Sequence, residues 1–153
     1  MTAVLAIGSN LGDRLAALQA GVRVLRPVAA SPVYETDPWG PVEQGDFLNA
    51  VVLVDCGAAE AWERALAAEA AAGRTRVQRC GPRTLDVDVI VADCSAPGLT
   101  LPHPRAHERA FVLVPWLALD ADAVLPGHGR IDLLLGALDV AGVHARPDLE
   151  LVL

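Results

Sequence analysis

Between residues 3 and 92 the chain switches repeatedly between strand-like and helix-like hydrophobic periodicity, and the order of the switches leaves few folds open. "AVLAIGS" reads as a buried strand, and "LGDRLAALQAGVRVL" follows with Leu15, Leu18, Val22 and Leu25 at helical spacing. "AASPVYETDPW" alternates loosely, "WGPVEQGD" breaks it with Pro and Gly, and "FLNAVVLVDC" resumes as a β-branched run. "GAAEAWERALAAEAAAG" is an alanine-rich helix closed by Gly73 as its C-cap, and "TLDVDVIVAD" supplies a fourth strand. The order β-α-β-β-α-β predicts an α+β, ferredoxin-like antiparallel sheet with both helices on one face. From about Cys94 the sequence suggests a short strand "LTLP", a helix beginning near "HERAFVLVPWLAL", and an acidic-apolar tail without clear pattern.

At 153 residues the chain fits a single domain, 1–153, with a real core. Hydrophobic residues make up 53% but aromatics only 4%, so the core is chiefly Ala, Val and Leu and each aromatic is worth locating. A net charge of -7 argues against general nucleic-acid binding, so any phosphate site has to be local. Cys56, Cys80 and Cys94 form an odd set without metal-like spacing, which suits free thiols in a reducing cytoplasm. "MTAVLAIGSN" has no basic region and only a short apolar run, so neither a signal peptide nor a membrane span is expected.

In the fourth strand, Asp86, Asp88 and Ile90 share one face and Leu85, Val87 and Val89 the other. Two carboxylates about 6.6 Å apart repel by roughly 0.6 kcal/mol in water and about 2.5 kcal/mol at an effective dielectric of about 20. Partial burial would therefore call for a cation. The preceding segment, "RTRVQRCGPR", carries Arg74, Arg76, Arg79 and Arg83 and no acid. A basic loop feeding an acidic strand fits a site for metal and phosphate, because Mg²⁺ takes one or two carboxylates plus substrate phosphates while arginine forks grip phosphate oxygens. The chain has no lysine and no G-x-x-x-x-G-K-[ST] loop, which excludes a P-loop enzyme.

The stretch "RCGPRTLDVDVI" resembles the signature of the 6-hydroxymethyl-7,8-dihydropterin pyrophosphokinase family of the folate pathway. "AIGSNLGDR", "SPVYETDPWG", "QGDFLNAVV" and "LPHPRAHERAFVLVPW" resemble its other motifs in the expected order, over roughly residues 3 to 127. The resemblance implies the same ferredoxin-like fold, and transfer of pyrophosphate from ATP to the hydroxymethyl group of the pterin with release of AMP. It implies that Asp86 and Asp88 hold two Mg²⁺ ions, that Arg74 and Arg83 are catalytic, and that Glu69, Arg76, Arg79, Thr100, His103 and Arg109 contact ATP. Phe47 and Phe111 would sandwich the pterin, Asn49 would read its edge, and backbone groups of Thr36, Pro38 and Trp39 would complete the contacts. Asn49 falls on the same strand face as Phe47, and an amide buried there needs a partner. Cys80 and Pro104 depart from the tryptophan and tyrosine frequent in the family.

Other polar residues read as structural. Pro104 interrupts any helical His103–His107 zinc pair, Gly8, Ser9 and Asn10 read as turn chemistry, and His128 and His144 fall in unpatterned, solvated segments. Trp62 and Trp116 read as helix packing. The expected enzyme is a cytoplasmic monomer that binds neither nucleic acid nor membrane. A metal-dependent phosphatase or nuclease, and a nucleotide-sensing module without turnover, are the alternatives that the residues leave open.

Overall fold

The computed structural model describes residues 1–38, 45–73 and 84–153. β1 (Ala3–Ser9) leads into α1 (Arg14–Leu25), whose N-terminus is capped by the Asp13 carboxylate accepting from the Ala16 amide. The predicted second strand is split into β2 (Ala29–Ala30) and β3 (Tyr34–Thr36). The interruption has a local cause: Pro32 has no N–H, and the Ser31 hydroxyl takes the Val51 amide at 2.9 Å in place of a backbone carbonyl. β4 (Phe47–Val54), α2 (Ala58–Ala71) and β5 (Asp86–Ala92) follow. Gly73 adopts φ +72 just beyond the Ala72 cap, the left-handed turn expected of it.

The main sheet runs β5-β1-β4-β3, fully antiparallel, with β2 also on β4. This is the expected ferredoxin-like order. One face packs Leu5, Ile7, Leu48, Val52, Val87 and Val89 against Leu18, Val22 and Leu25 of α1 and Ala61, Ala65 and Ala68 of α2, with Trp62 partly buried there. On the other face Val51 and Ile90 pack against α3 (Ala110–Leu119), including the buried Trp116. Leu85, Val87 and Val89 thus face the first cluster while Ile90 joins the second, as the strand alternation requires.

The C-terminal third departs from expectation. "LTLP" is not a strand: Gly98 turns the chain at φ +78, and Pro102 offers no donor for a ladder. The tail is better ordered than its sequence suggests. β6 (Val124–Leu125) and β7 (Gly129–Arg130) form a small hairpin, α4 (Ile131–Leu135) follows, and β8 (Val143–Ala145) pairs with β3 to extend the main sheet. His144 lies in β8, opposite Glu35, and His128 lies in the hairpin with its ring stacked 4.2 Å from that of His107. Among the described residues no helix is long and apolar enough to cross a membrane.

Gly8 and Ser9 belong to β1 and not to a turn. Gly8 pairs with Asn49 on one side and Asp86 on the other. A Cβ at Gly8 would lie 2.6 Å from Asn49 Oδ1 and 3.5 Å from Phe47 Cδ1, so glycine is needed here for space. In an ordinary strand Gly→Ala gains stability; Gly8→Ala is expected to lose roughly 1–3 kcal/mol because Asn49 has to move. Urea unfolding measures this directly, and a midpoint at or above wild type would show that Asn49 yields freely.

Candidate active site

The face of the sheet turned toward α3 carries the polar residues singled out from the sequence. Asp86, Gly8 and Asn49 are successive register partners across β5, β1 and β4, so roughly 10 Å of sheet separates the carboxylate from the amide. With no side chain at Gly8, the space between them stays open. Asp86 and Asp88 are both half-buried on this face.

At the amide end Asn49 is 6% exposed and Thr36 3%. The Asn49 Nδ2 donates to Thr36 Oγ1 at 2.6 Å, which supplies the partner that a buried amide demands and fixes the plane it presents. Phe47 and Thr36 are cross-strand partners one step further along, both at the loop end of the β3–β4 pair. Phe111 lies in α3, and with Thr36, Pro38, Leu138, Gly142 and Val143 it lines a cavity of about 360 Å³. The wall made by residues 138–143 was missed from sequence, because a three-residue strand is too short to give a period.

At the carboxylate end, the Arg109 Nη1 lies 3.6 Å from Asp88 Oδ2, and its guanidinium stands 5.6 Å from the centre of the Phe111 ring. Arg109 therefore touches both halves of the face. Burial lowers its pKa and Asp88 opposes that shift, so a cation is held beside the carboxylate pair. His103 joins β5 through its backbone, its N–H donating to the Ile90 carbonyl at 2.8 Å. Its Nδ1 accepts from the Arg105 amide at 3.2 Å, leaving the ring proton on Nε2 as a donor suited to an anionic oxygen. Thr100 is exposed in the connection that precedes it. The buried Glu69, near the end of α2, accepts from the Val87 amide at 2.9 Å, so its carboxylate grips β5 midway between Asp86 and Asp88.

Trp39, Arg74, Arg76, Arg79, Cys80 and Arg83 lie outside the described residues. Of the others, Asp86, Asp88, Phe47, Asn49, Thr36, Phe111 and Arg109 meet on this face, whereas Glu69 reaches β5 from α2 and Thr100 is exposed in the connection before His103. Among the described residues no three His, Cys, Asp or Glu side chains cluster as a metal cage. The two-carboxylate, all-oxygen set instead suits a hard cation that completes its shell with water and substrate oxygens.

Burial, reinforced by Arg109 and Arg105, lowers the His103 pKa below its ordinary value of 6.5. The ring is then neutral at pH 7. Its contribution to stability is complete above about 6.5 and is lost as pH falls toward the lower folded-state value. An NMR titration of the His103 ring is expected to show a midpoint below about 6.5; one at or above that would mean the ring is not desolvated.

Comparisons with known proteins place the chain in a family. Residues 4–121 match the family described as 7,8-dihydro-6-hydroxymethylpterin-pyrophosphokinase (HPPK). The 2-amino-4-hydroxy-6-hydroxymethyldihydropteridine pyrophosphokinase of Mycobacterium tuberculosis is 53% identical over 143 residues, covering 82% of this chain and 76% of the relative. The protein of the same name from Mycobacterium leprae is 54% identical over 158 residues, covering 89% and 82%, and that from Methylorubrum extorquens 41% over 153, covering 93% and 96%. Among solved structures, Plasmodium falciparum HPPK-DHPS superposes with a TM-score of 0.60 at 12% identity, over 88% of this chain and 42% of that longer one. At that identity the superposition shows the fold alone. The sequence matches go further, and by them the chain belongs to the 6-hydroxymethyl-7,8-dihydropterin pyrophosphokinase family.

Proposed function

We propose that the protein is an enzyme that transfers pyrophosphate from ATP to 6-hydroxymethyl-7,8-dihydropterin, giving AMP and the pterin diphosphate, in folate biosynthesis. The observation that carries this reading is the shared face. A carboxylate pair on β5 and an amide–aromatic cluster on β4 look the same way, separated by a glycine gap. A phosphate chain and a flat heterocycle can lie side by side there with their reacting atoms between the two clusters.

The pterin fits the amide end. Phe47 and Phe111 supply aromatic faces for the ring, and Asn49, oriented by Thr36, reads its donor and acceptor edge beside backbone groups of Thr36, Pro38 and Trp39. ATP takes the carboxylate end. Asp86 and Asp88 would hold two Mg²⁺ ions, which when bound supply Lewis-acid stabilisation of the phosphate oxygens and acidify the attacking hydroxyl. Arg74 and Arg83 neutralise charge developing on the transferred group, while Arg76, Arg79, Arg109, His103 and Thr100 bind the nucleotide and its phosphates, with Glu69 on the adenine side. Arg109 orients both substrates, since it borders Asp88 and Phe111 together. The enzyme acts as a single-domain cytoplasmic monomer, in which Cys56 and Cys94 remain free thiols.

The deciding experiment incubates the protein with ATP, Mg²⁺ and the pterin, and separates the nucleotides. AMP formed in step with pterin diphosphate, and only with acceptor present, is the expected result; ADP or phosphate formed without acceptor would assign a hydrolase instead. Asp86→Asn and Asp88→Asn are expected to fold normally and lose at least about a hundredfold in turnover. Near-normal rates at saturating Mg²⁺ would remove that residue from the metal role. Arg83→Ala should lower kcat and kcat/KM equally with ATP affinity unaltered, whereas an effect confined to ATP affinity would make it a binding residue.

A further inference from the structure

Behind the acceptor end of the face, on the opposite side of the sheet, lies a set of side chains that the chemistry above does not use. Glu35 precedes Thr36 on β3, so its carboxylate points away from Asn49 and Phe47. It receives the Arg14 Nη1 at 2.6 Å on Oε2 and the Arg146 Nη1 at 3.3 Å on Oε1. The same Arg14 nitrogen donates to the backbone carbonyl of Asp46 at 3.1 Å. One residue earlier, the Gly45 carbonyl accepts from Asn10 Nδ2 at 3.0 Å.

These contacts straddle one place. Thr36 and Phe47 are the last register pair before the chain leaves the β3–β4 ladder after residue 36, to return at residue 47. Ten residues, 37–46, separate the two strands, so their spacing is not set by a two-residue hairpin turn. Here Arg14 joins the β3 side, through Glu35, to the β4 side, through Asp46, and Asn10 secures the residue before that. Both side chains of the Arg14–Glu35 pair are mostly shielded, at 29% and 25% exposure. The hydrogen bond from Arg14 is the main cause that holds the Glu35 carboxyl below its ordinary value of 4.5. The C-terminal segment adds a second hold: the Arg146 amide donates to the Val33 carbonyl at 2.9 Å, and its guanidinium pairs with both Glu35 and Asp148.

We propose that Arg14, acting through Glu35 and the Asp46 carbonyl and aided by Asn10, is a positioning residue for the acceptor half of the site. It sets the spacing between Thr36 and Phe47, and thereby the affinity for the pterin, without touching either substrate. The kinetic part of this inference rests on the function proposed above.

The test compares Arg14→Met, Arg14→Lys and Glu35→Gln by steady-state kinetics and by amide hydrogen exchange. Arg14→Met is expected to raise KM for the pterin roughly tenfold, with kcat and KM for MgATP within about twofold of wild type. Arg14→Lys, which keeps a cationic donor, should recover most of the loss, and Glu35→Gln should fall between them. Exchange should quicken at Thr36 and at 47–49 in Arg14→Met, and stay unchanged at 86–88. An unaltered pterin KM, or an equal rise in both KM values with faster exchange throughout, would overturn the proposal by reducing Arg14 to a passive or general stabiliser. If wild type fails to turn over the pterin, the functional reading falls, and the exchange pattern still decides whether Arg14 governs this corner of the sheet. If Arg14→Met does not fold, Glu35→Gln, which keeps the side-chain shape and one acceptor oxygen but removes the charge, carries the same comparison.

Discussion

The paired edges of β1 are the constraint on which the rest of the molecule depends. Its seven residues are hydrogen-bonded antiparallel to β4 on one side and to β5 on the other, and nearly all of them are buried. A strand held this way cannot slip by one residue, because a slip would move Leu5 and Ile7 out of the α1–α2 core and put Ala6 and Gly8 there instead. Fixed register then decides what stands opposite what. Gly8 falls between Asp86 and Asn49, so the one residue without a side chain occupies the position where any side chain would fill the space between the two functional clusters. The site is in this sense a consequence of sheet register, and the helices matter to it mainly by making that register unique.

Charge is distributed in a way that composition conceals. In a chain with a net charge of -7, the proposed function sets a paired acidic strand against a substrate that is itself polyanionic. The carboxylates serve only if cations intervene, and the protein supplies one of them within the described face: Arg109, 3.6 Å from Asp88 and desolvated enough to be costly unless paired. Glu69 contributes in another way. By accepting from the Val87 amide it satisfies a backbone donor between the two aspartates and holds the strand that bears them.

The β-α-β-β-α-β order was legible because five of those six stretches are long enough to show a period, the second strand alternating only loosely, and because Gly73 and the Pro- and Gly-bearing 40–45 segment mark their ends. Placement of Asp86 and Asp88 opposite Val87 and Val89 followed from alternation alone, and the buried Asn49 announced its need for a partner. The partner itself, Thr36, was suggested only by resemblance and for its backbone; its hydroxyl role is a matter of cross-strand geometry that a single strand's sequence does not express. The errors have related causes. Gly8 looked like turn chemistry because glycine before Ser-Asn usually is, whereas here it answers a steric demand from a strand some forty residues away in sequence. The tail looked unpatterned because β6, β7 and β8 have only two or three residues each and are made strands by their neighbours.

The tail's placement bears on how the acceptor end works. β8 lies on β3 through Val143↔Thr36 and His144↔Glu35, and the Asp37 amide donates to the Gly142 carbonyl at 3.1 Å. β3 is only three residues long and would be a weak edge strand with β4 as its sole partner. Covered by β8, it becomes an interior strand whose Thr36 hydroxyl can hold Asn49 in one orientation. Gly142 and Val143 also line the cavity next to Phe111, so the segment that orders β3 from one side closes the wall on the other. Recognition of a flat, polar-edged ring needs a rigid amide and a defined slot, and both draw on a stretch of chain that carries no proposed substrate-contacting residue of its own.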